Sequence, residues 1–293
     1  MFMKRVTCAC VLFVTSCAVY GQAPRVSLSA DINIQVRTFE NGKPQFHWYD
    51  DTGNYSRIRM NIDLEEGWTF RFRQKLSRIK NDPDTSAMDE IFLEQRNDWR
   101  FGKQYVPYGT GRVIRETAIG VRLNSFLEFI DVPVSVMLLD NGAKKQKGGV
   151  IRVGDWVGVS VALGEHFGIN STSFTQVRPP EDPAGRDRGY RLVYGVDVTK
   201  GFRNFTFSME FISLREGHSF LDQKDDVINI LFGYQLPYGS NIEFEGTLFT
   251  NSDLAGARIS SQIPLSRTFF LSPSAHFRQT YGWNYTVSLQ IRL

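Results

Sequence analysis

Apolar and polar residues alternate along most of this chain, and a period of two is typical of a β-strand with two chemically different faces. In the first such run every even position from Val26 to Val36 is apolar, whereas every odd position from Ser27 to Arg37 is polar. Similar runs follow at 57–64, 68–76, 190–198, 205–211, 228–236, 242–248, 257–263 and 269–277. Outside the N-terminus no run of about 18 apolar residues occurs, so we expect no helical membrane span. The pattern predicts an all-β chain.

Many of these runs are longer than the strands of a soluble sheet. They reach about ten residues, the length that a tilted strand needs to cross a bilayer, whereas soluble strands usually have about five or six. Tight connections are expected at 65–67, 97–98, 154–155, 199–201, 237–239 and 264–266. Long ones lie between them at roughly 39–54, 80–87, 107–141, 165–187 and 214–225. Alternating turn lengths predict a transmembrane antiparallel up-and-down β-barrel.

Counting the runs between these connections predicts about fourteen strands, within a range of about 12 to 16. They are expected at 25–38, 55–66, 68–79, 88–97, 99–106, 142–153, 156–164, 188–199, 202–213, 226–236, 240–251, 255–264, 268–279 and 283–293. We expect residues 107–141 to form a loop that folds into the lumen. The alternative makes Val113–Leu123 and Phe126–Leu139 two further strands, for a total of sixteen.

The N-terminus has the pattern of a secretory signal peptide. Lys4 and Arg5 precede an apolar stretch that ends at Tyr20, and small residues follow it. We therefore expect residues 1–23 to be removed and residues 24–293 to form a single barrel domain. One alternative makes Cys17 a lipid anchor, because residues 14–17 resemble a lipoprotein processing box. A buried first helix is the weaker alternative.

The three cysteines and the net charge exclude several kinds of site. All three cysteines, Cys8, Cys10 and Cys17, lie in the expected signal peptide. The mature chain would then have no disulfide, thiolate nucleophile or cysteine metal site. The formal net charge of +3 falls to +1 without Lys4 and Arg5, and so small a charge favours no strongly charged partner such as nucleic acid.

The last run alternates to the end of the chain. Its apolar positions are Tyr285, Val287, Leu289, Ile291 and Leu293. Such a strand resembles the signal by which the outer-membrane assembly machinery recognises its substrates, although most of those proteins end in Phe where this chain has Leu. We therefore expect that machinery as a partner.

Residues 99–109 contain a Gly-Lys-Gln stretch followed by Pro-Tyr-Gly. This segment resembles a strand of the bacterial porin superfamily, most closely in the phosphate-selective O/P-type group, and residues 140–164 resemble the hairpin after the long third loop of such porins. The resemblance implies an outer-membrane porin of Gram-negative bacteria that is surrounded by lipid and lipopolysaccharide. Members usually form sixteen-stranded trimers, so a homotrimer is an expectation beside a monomer. Phosphate selectivity is not carried over, because no Lys-rich ladder is visible.

In a barrel the polar set faces inward, because a charge facing lipid at mid-depth costs about 2–4 kcal/mol. The expected pore-lining residues are Arg57, Arg59, Arg71, Arg73, Lys75, Arg100, Glu90, Glu94, Arg191, Glu243 and Glu245. The expected constriction loop contributes Arg112, Arg115, Arg122 and Glu116. A basic cluster that faces acids would orient solutes in a water-filled pore. Alternatively these groups pair and plug a narrow barrel, or the loop lies outside it.

The function that these features predict is passive diffusion of small polar or charged solutes, with no catalytic residue, cofactor or metal. A non-conducting adhesin or structural barrel is one alternative. The other is an outer-membrane hydrolase, for which His276 near Ser272 and Ser274 is the only candidate on a strand. His47, His166 and His218 fall in predicted loops, and motifs for metal, phosphate or nucleic-acid binding are absent from the sequence.

Overall fold

The described residues form a ring of antiparallel strands. The computed structural model describes residues 24–39, 45–47, 56–76, 87–114, 117–129, 131–141, 146–167, 190–217, 224–251, 254–279 and 282–293. The strands are β1 Arg25–Phe39, β2 Gln45–His47, β3 Arg57–Asp63, β4 Trp68–Lys75, β5 Met88–Gln95, β6 Trp99–Tyr105, β7 Thr117–Leu127, β8 Val132–Asn141, β9 Gln146–Gly154, β10 Val157–Phe167, β11 Tyr190–Phe202, β12 Phe205–Gly217, β13 Lys224–Gln235, β14 Asn241–Phe249, β15 Leu254–Pro264, β16 Phe269–Arg278 and β17 Gly282–Arg292. The expected signal peptide, residues 1–23, lies outside this range. Within the described ranges no helix is both long enough and apolar enough to span a membrane.

The ring closes between its first and last strands. β1 pairs with β17 along one edge, from Asp31 with Arg292 to Phe39 with Asn284. Its other edge pairs with β3 and, further along, with the short β2, so these two segments share one place in the wall. The described wall therefore has sixteen strands, and the prediction of about fourteen is wrong. The two further strands are β7 and β8, so the alternative's total of sixteen is confirmed. Its bounds, Val113–Leu123 and Phe126–Leu139, are displaced, because Phe126 belongs to β7 and β8 begins at Val132.

The predicted long loop at 107–141 is therefore also wrong over most of its length. β6 ends at Tyr105 and β7 begins at Thr117, and β7 ends at Leu127 only five residues before β8 begins at Val132. Most of the predicted tight connections are confirmed at one rim, for example at Glu65–Gly67 and Pro237–Gly239. The connection predicted at 199–201 is wrong by a few residues, because β11 runs to Phe202 and pairs there with Phe205, so the turn is at 203–204. The rim with the tight turns also holds the start of β1 and the end of β17, because Ala30 N donates to Leu293 O.

Apolar side chains cover the outside of the wall and polar ones its inside, which is the reverse of a water-soluble protein. On β17 the side chain of Val287 is 48% exposed on the outer surface, whereas the next residue, Ser288, is 5% exposed. The same contrast recurs around the ring, where the large exposed side chains are mostly apolar and the buried ones include many charged and polar groups. An apolar belt of this size is suited to lipid rather than to water.

Aromatic side chains border the belt at both rims. Near the tight turns the rings of Phe205 and Tyr234 are 4.6 Å apart, and Trp99 stacks on Phe101. Near the opposite rim the rings of Phe277 and Trp283 are 5.5 Å apart. Rows of aromatic residues at both edges are typical of a barrel at two membrane–water interfaces.

Candidate functional site

The connection between β6 and β7 folds into the interior of the ring. Gly109 N donates to Ser160 Oγ on β10 at 2.9 Å. Thr110 donates twice to Glu210 on β12, from its amide to Oε1 at 3.2 Å and from its hydroxyl to Oε2 at 2.7 Å. Arg112 then reaches Glu245 on β14, with 3.7 Å between Nη1 and Oε2. Residues 106–114, which we call the crossing segment, therefore extend from β6 to the far wall.

Two glycines allow this close approach. Gly109 has a φ of +48°, and a Cβ there would lie 1.7 Å from Oε1 of Glu210. Gly195 lies on β11 under the crossing segment, and a Cβ there would lie 3.0 Å from the hydroxyl of Tyr108 and 2.5 Å from Phe211 O. Both positions therefore require a residue without a side chain.

An apolar patch inside the ring receives the crossing segment. The segment buries Val106, Tyr108, Val113 and Ile114. The wall side of this cluster consists of Ala118, Met137, Leu139, Val150, Ala162, Val193, Ile212, Leu214, Val227 and Phe249. Burial raises the pKa of the Tyr108 phenol well above its usual value, and the nearby carboxylates Glu210 and Asp197 raise it further. Tyr108 is therefore neutral and part of the apolar contact.

Sequence reasoning missed this patch, although the sequence carries a signal for it. Strands β8 to β14 contain consecutive apolar residues, as in Met137-Leu138-Leu139, where strict alternation would place one polar residue. Leu138 is exposed on the outer surface, whereas Met137 and Leu139 are buried inside. Apolar residues on both faces of a strand therefore mark where the lumen wall is covered by protein rather than by water.

The predicted basic residues on β3, β4 and β6 form ion pairs on the inner face. Arg57 and Arg59 both contact Asp31 on β1, the former at 3.0 Å. Arg71 and Arg100 share Glu94, at 2.8 and 2.5 Å. Arg71 remains 45% exposed.

The outer ends of β4 and β5 hold a second set of charges. Arg73 contacts Glu90 at 2.8 Å and Asp89 at 3.7 Å, and Lys75 is buried nearby on β4. Tyr105 donates from its hydroxyl to Asp89 at 3.1 Å. Asp89 and Glu90 therefore neutralise part of the positive charge that Arg73 and Lys75 bring to this end of the two strands.

The predicted acids Glu243 and Glu245 lie on β14, eight wall places from the basic strand β6 in the sixteen-strand order. Both contact Arg258 on β15, at 3.4 and 3.0 Å. Arg191 is exposed near the start of β11. The inner wall thus has a mainly basic half and a half in which acids and arginines are balanced.

Two of the four predicted constriction residues, Arg112 and Arg122, lie in the described part of the structure, where they occupy different elements. Arg112 belongs to the crossing segment. Arg122 does not, because it lies on β7 in the wall, where it donates to Asn124 Oδ1 at 2.8 Å and to Ser135 Oγ at 3.3 Å. Arg115 and Glu116 lie outside the described residues.

The histidines are the candidates for hydrolase chemistry. His276 Nε2 lies 2.9 Å from Ser274 Oγ, two residues away on the inner face of β16. The side chains of His47, His166 and His218 lie outside the described part of the structure. Among the described residues no group of three or more His, Cys, Asp and Glu is placed to hold a metal ion.

No family model and no curated protein matches this chain. Solved structures do match its fold. The outer membrane protein OmpT of Vibrio cholerae, in its trimer form, is 10% identical with a TM-score of 0.62, over 93% of this chain and 100% of that one. The fold is that of the bacterial porins.

Two further porin-fold structures agree over most of their length. Salmonella typhi OmpF, in complex with daunomycin, is 11% identical with a TM-score of 0.61, over 92% of this chain and 98% of that one. The outer membrane channel DcaP of Acinetobacter baumannii is 8% identical with a TM-score of 0.62, over 92% and 97%. Identities this low establish a shared porin fold and no more.

Proposed function

We propose that this protein is a channel of a Gram-negative outer membrane, through which small polar or charged solutes diffuse passively. The observation that carries the proposal is the combination of an apolar outer belt with a polar interior that, within the described residues, the crossing segment spans. A ring of sixteen strands is wide enough to leave an aqueous passage unless its interior is filled. The crossing segment is the element that narrows it.

The charges of the wall support a transverse field at that narrowing. Basic side chains on β3, β4 and β6 lie five to eight of the sixteen wall places from the acids of β12 and β14. A field across a narrow aqueous passage orients dipolar solutes and discriminates among ions. Because most of the arginines are paired with acids, we expect a mild preference for anions rather than strict selectivity.

The finer assignments belong to the same proposal. The segment 99–109 supports a relation to the O/P-type porins, without phosphate selectivity. Residues 1–23 would be the signal peptide and 24–293 the mature barrel. Expected partners are lipid, lipopolysaccharide, the assembly machinery through residues 285–293, and small polar solutes. A homotrimer is favoured by analogy with the trimer form of the Vibrio cholerae protein.

Conductance in planar bilayers tests the function directly. We expect discrete steps when purified, folded protein is added to a bilayer in KCl solution. A folded protein that gives no steps would support the non-conducting adhesin or structural barrel. A protein that folds in water and is recovered without detergent would contradict the membrane assignment altogether.

The contact between Ser274 and His276 keeps an outer-membrane hydrolase as the second candidate. A serine nucleophile needs a base within hydrogen-bond reach, and the 2.9 Å separation meets that requirement. We expect no hydrolysis of phospholipid or peptide by the purified protein. Activity that survives purification and disappears in His276→Ala would favour the hydrolase.

A further inference from the structure

A polar cavity opens on the inner face of the strands β14 to β17. Its volume is about 200 Å³, far more than the roughly 10–15 Å³ that one water molecule needs. The residues that matter for its chemistry are Asn241, Glu243, Arg258, Ser272, Ser274 and Ser288. It lies apart from the basic wall, and the crossing segment reaches only its edge, through Arg112 and Glu245.

A proline explains why the wall is open at this point. The pairing of β15 with β16 runs to Ser260 opposite Ser274 and resumes at Ile263 opposite Leu271. Pro273 lies in this gap and has no amide hydrogen to donate, which is why proline is rare inside a sheet. The neighbouring ladder between β16 and β17 remains continuous through Pro273. The gap is therefore confined to one side of the proline.

Asn241 on β14 holds β15 at the other side of the gap. The backbone amide of Gln262 donates to Asn241 Oδ1 at 2.8 Å, and the hydroxyl of Ser261 donates to the backbone carbonyl oxygen of Asn241 at 2.6 Å. Gln262 Nε2 also donates across the cavity to Gln290 Oε1 at 2.8 Å. These bonds keep β15 on the side of β14, so the cavity is a built feature of the wall.

The electrostatics of the cavity favour a ligand without net charge. Arg258 lies between Glu243 and Glu245, and Arg112 approaches Glu245 from the crossing segment. Two cations and two anions therefore cancel at its edge. A carboxylate or ammonium group entering here would meet a like charge beside each opposite one.

Serine hydroxyls are the commonest polar groups of the cavity lining, and they point to the ligand's chemistry. Ser272 Oγ and Thr286 Oγ1 are buried and form no hydrogen bond with the described residues. Thr286 is the cross-strand neighbour of Ser274, next to the cavity lining. Buried polar atoms without partners are costly unless a ligand or water satisfies them, and hydroxyls can both donate and accept.

We propose that this cavity, which we call the Pro273 cavity, binds an uncharged polyhydroxylated solute of monosaccharide size. The proposal rests on the channel function and adds a place where such a solute pauses along the wall. Serine hydroxyls and amide side chains would pair with the hydroxyl groups of the solute. The gap beside Pro273 supplies the space.

Binding of D-glucose, measured by saturation-transfer NMR on the whole protein in detergent micelles, tests the proposal without requiring conductance. Pro273→Val should restore the ladder and close the gap, and we expect binding at least tenfold weaker. Val287→Ala, on the same outward face of the neighbouring strand, is the matched control and should bind like the wild type. The double variant Ser272→Ala/Ser288→Ala should also lose binding, and it keeps the test valid if Pro273→Val fails to fold.

Each outcome has a defined meaning. No glucose signal from the wild type, or equal signals from the wild type and the double variant, would overturn the proposal. Glucose binding by a folded protein that gives no bilayer conductance would support the Pro273 cavity and contradict the channel function. Conductance without glucose binding would support the channel function and contradict the Pro273 cavity.

Discussion

Substituting the glycine at the tip of the crossing segment tests whether contact with Glu210 holds that segment in the lumen. An alanine Cβ at position 109 would lie 1.7 Å from Glu210 Oε1, roughly half of the ~3.5 Å separation of atoms in contact. The Glu210 side chain can rotate away only by giving up both hydrogen bonds to Thr110. Gly109→Ala should therefore loosen the docked segment.

The chain provides a matched control two residues further on. Gly111 also has a left-handed backbone, with a φ of +70°, but a Cβ there would meet nothing within 4 Å. The left-handed conformation costs either alanine variant about 1–2 kcal/mol. Only Gly109→Ala also loses two hydrogen bonds to a buried carboxylate, at about 1.5–3 kcal/mol each. The contact with Glu210 should thus weaken docking by about 3 kcal/mol or more beyond the control.

Single-channel recording can resolve this difference. A change of about 3 kcal/mol shifts the balance between docked and released segment by roughly 100-fold, since 1.36 kcal/mol corresponds to a factor of ten. We expect Gly109→Ala channels to switch among several conductance levels, and Gly111→Ala channels to resemble the wild type. Identical traces from the two variants would show that the contact with Glu210 does not position the segment.

Two further predictions concern the two faces of the wall. Reversing Arg71 and Arg73 to Glu should move the reversal potential in a salt gradient toward cation selectivity, because the Arg71 side chain is 45% exposed on the inner face. Arg267→Glu, at an exposed turn, is the control, and an unchanged potential in the double variant would remove these arginines from the pore wall. On β15, Ile259→Arg should destabilise the folded barrel in lipid vesicles by about 2–4 kcal/mol, because it places a charge at mid-depth on the lipid side. Ser260→Arg, on the inner face opposite Glu243, should cost much less in urea unfolding, and equal losses would contradict the assignment of faces.

Sequence periodicity was enough for most of the wall. The strands after residue 142 were placed to within a few residues, because each alternates between lipid-suited and water-suited side chains. The same rule failed for β7 and β8. There Ala118, Gly120, Met137 and Leu139 face inward, so the inner face is apolar or small and the alternation disappears. The cause of the failure is contact with the crossing segment, which is absent from any local pattern.

Some features of the candidate site could likewise be predicted from the sequence, and others depend on the tertiary structure. The sequence by itself determined which residues are charged and which face of each strand they occupy, because a side chain's face depends only on its position along the strand. Tertiary structure alone decided that Thr110 meets Glu210 across 100 residues of sequence, that Arg122 stays in the wall, and that Pro273 opens a gap. Those contacts depend on ring closure and strand register, and both are set by the packing of the whole chain.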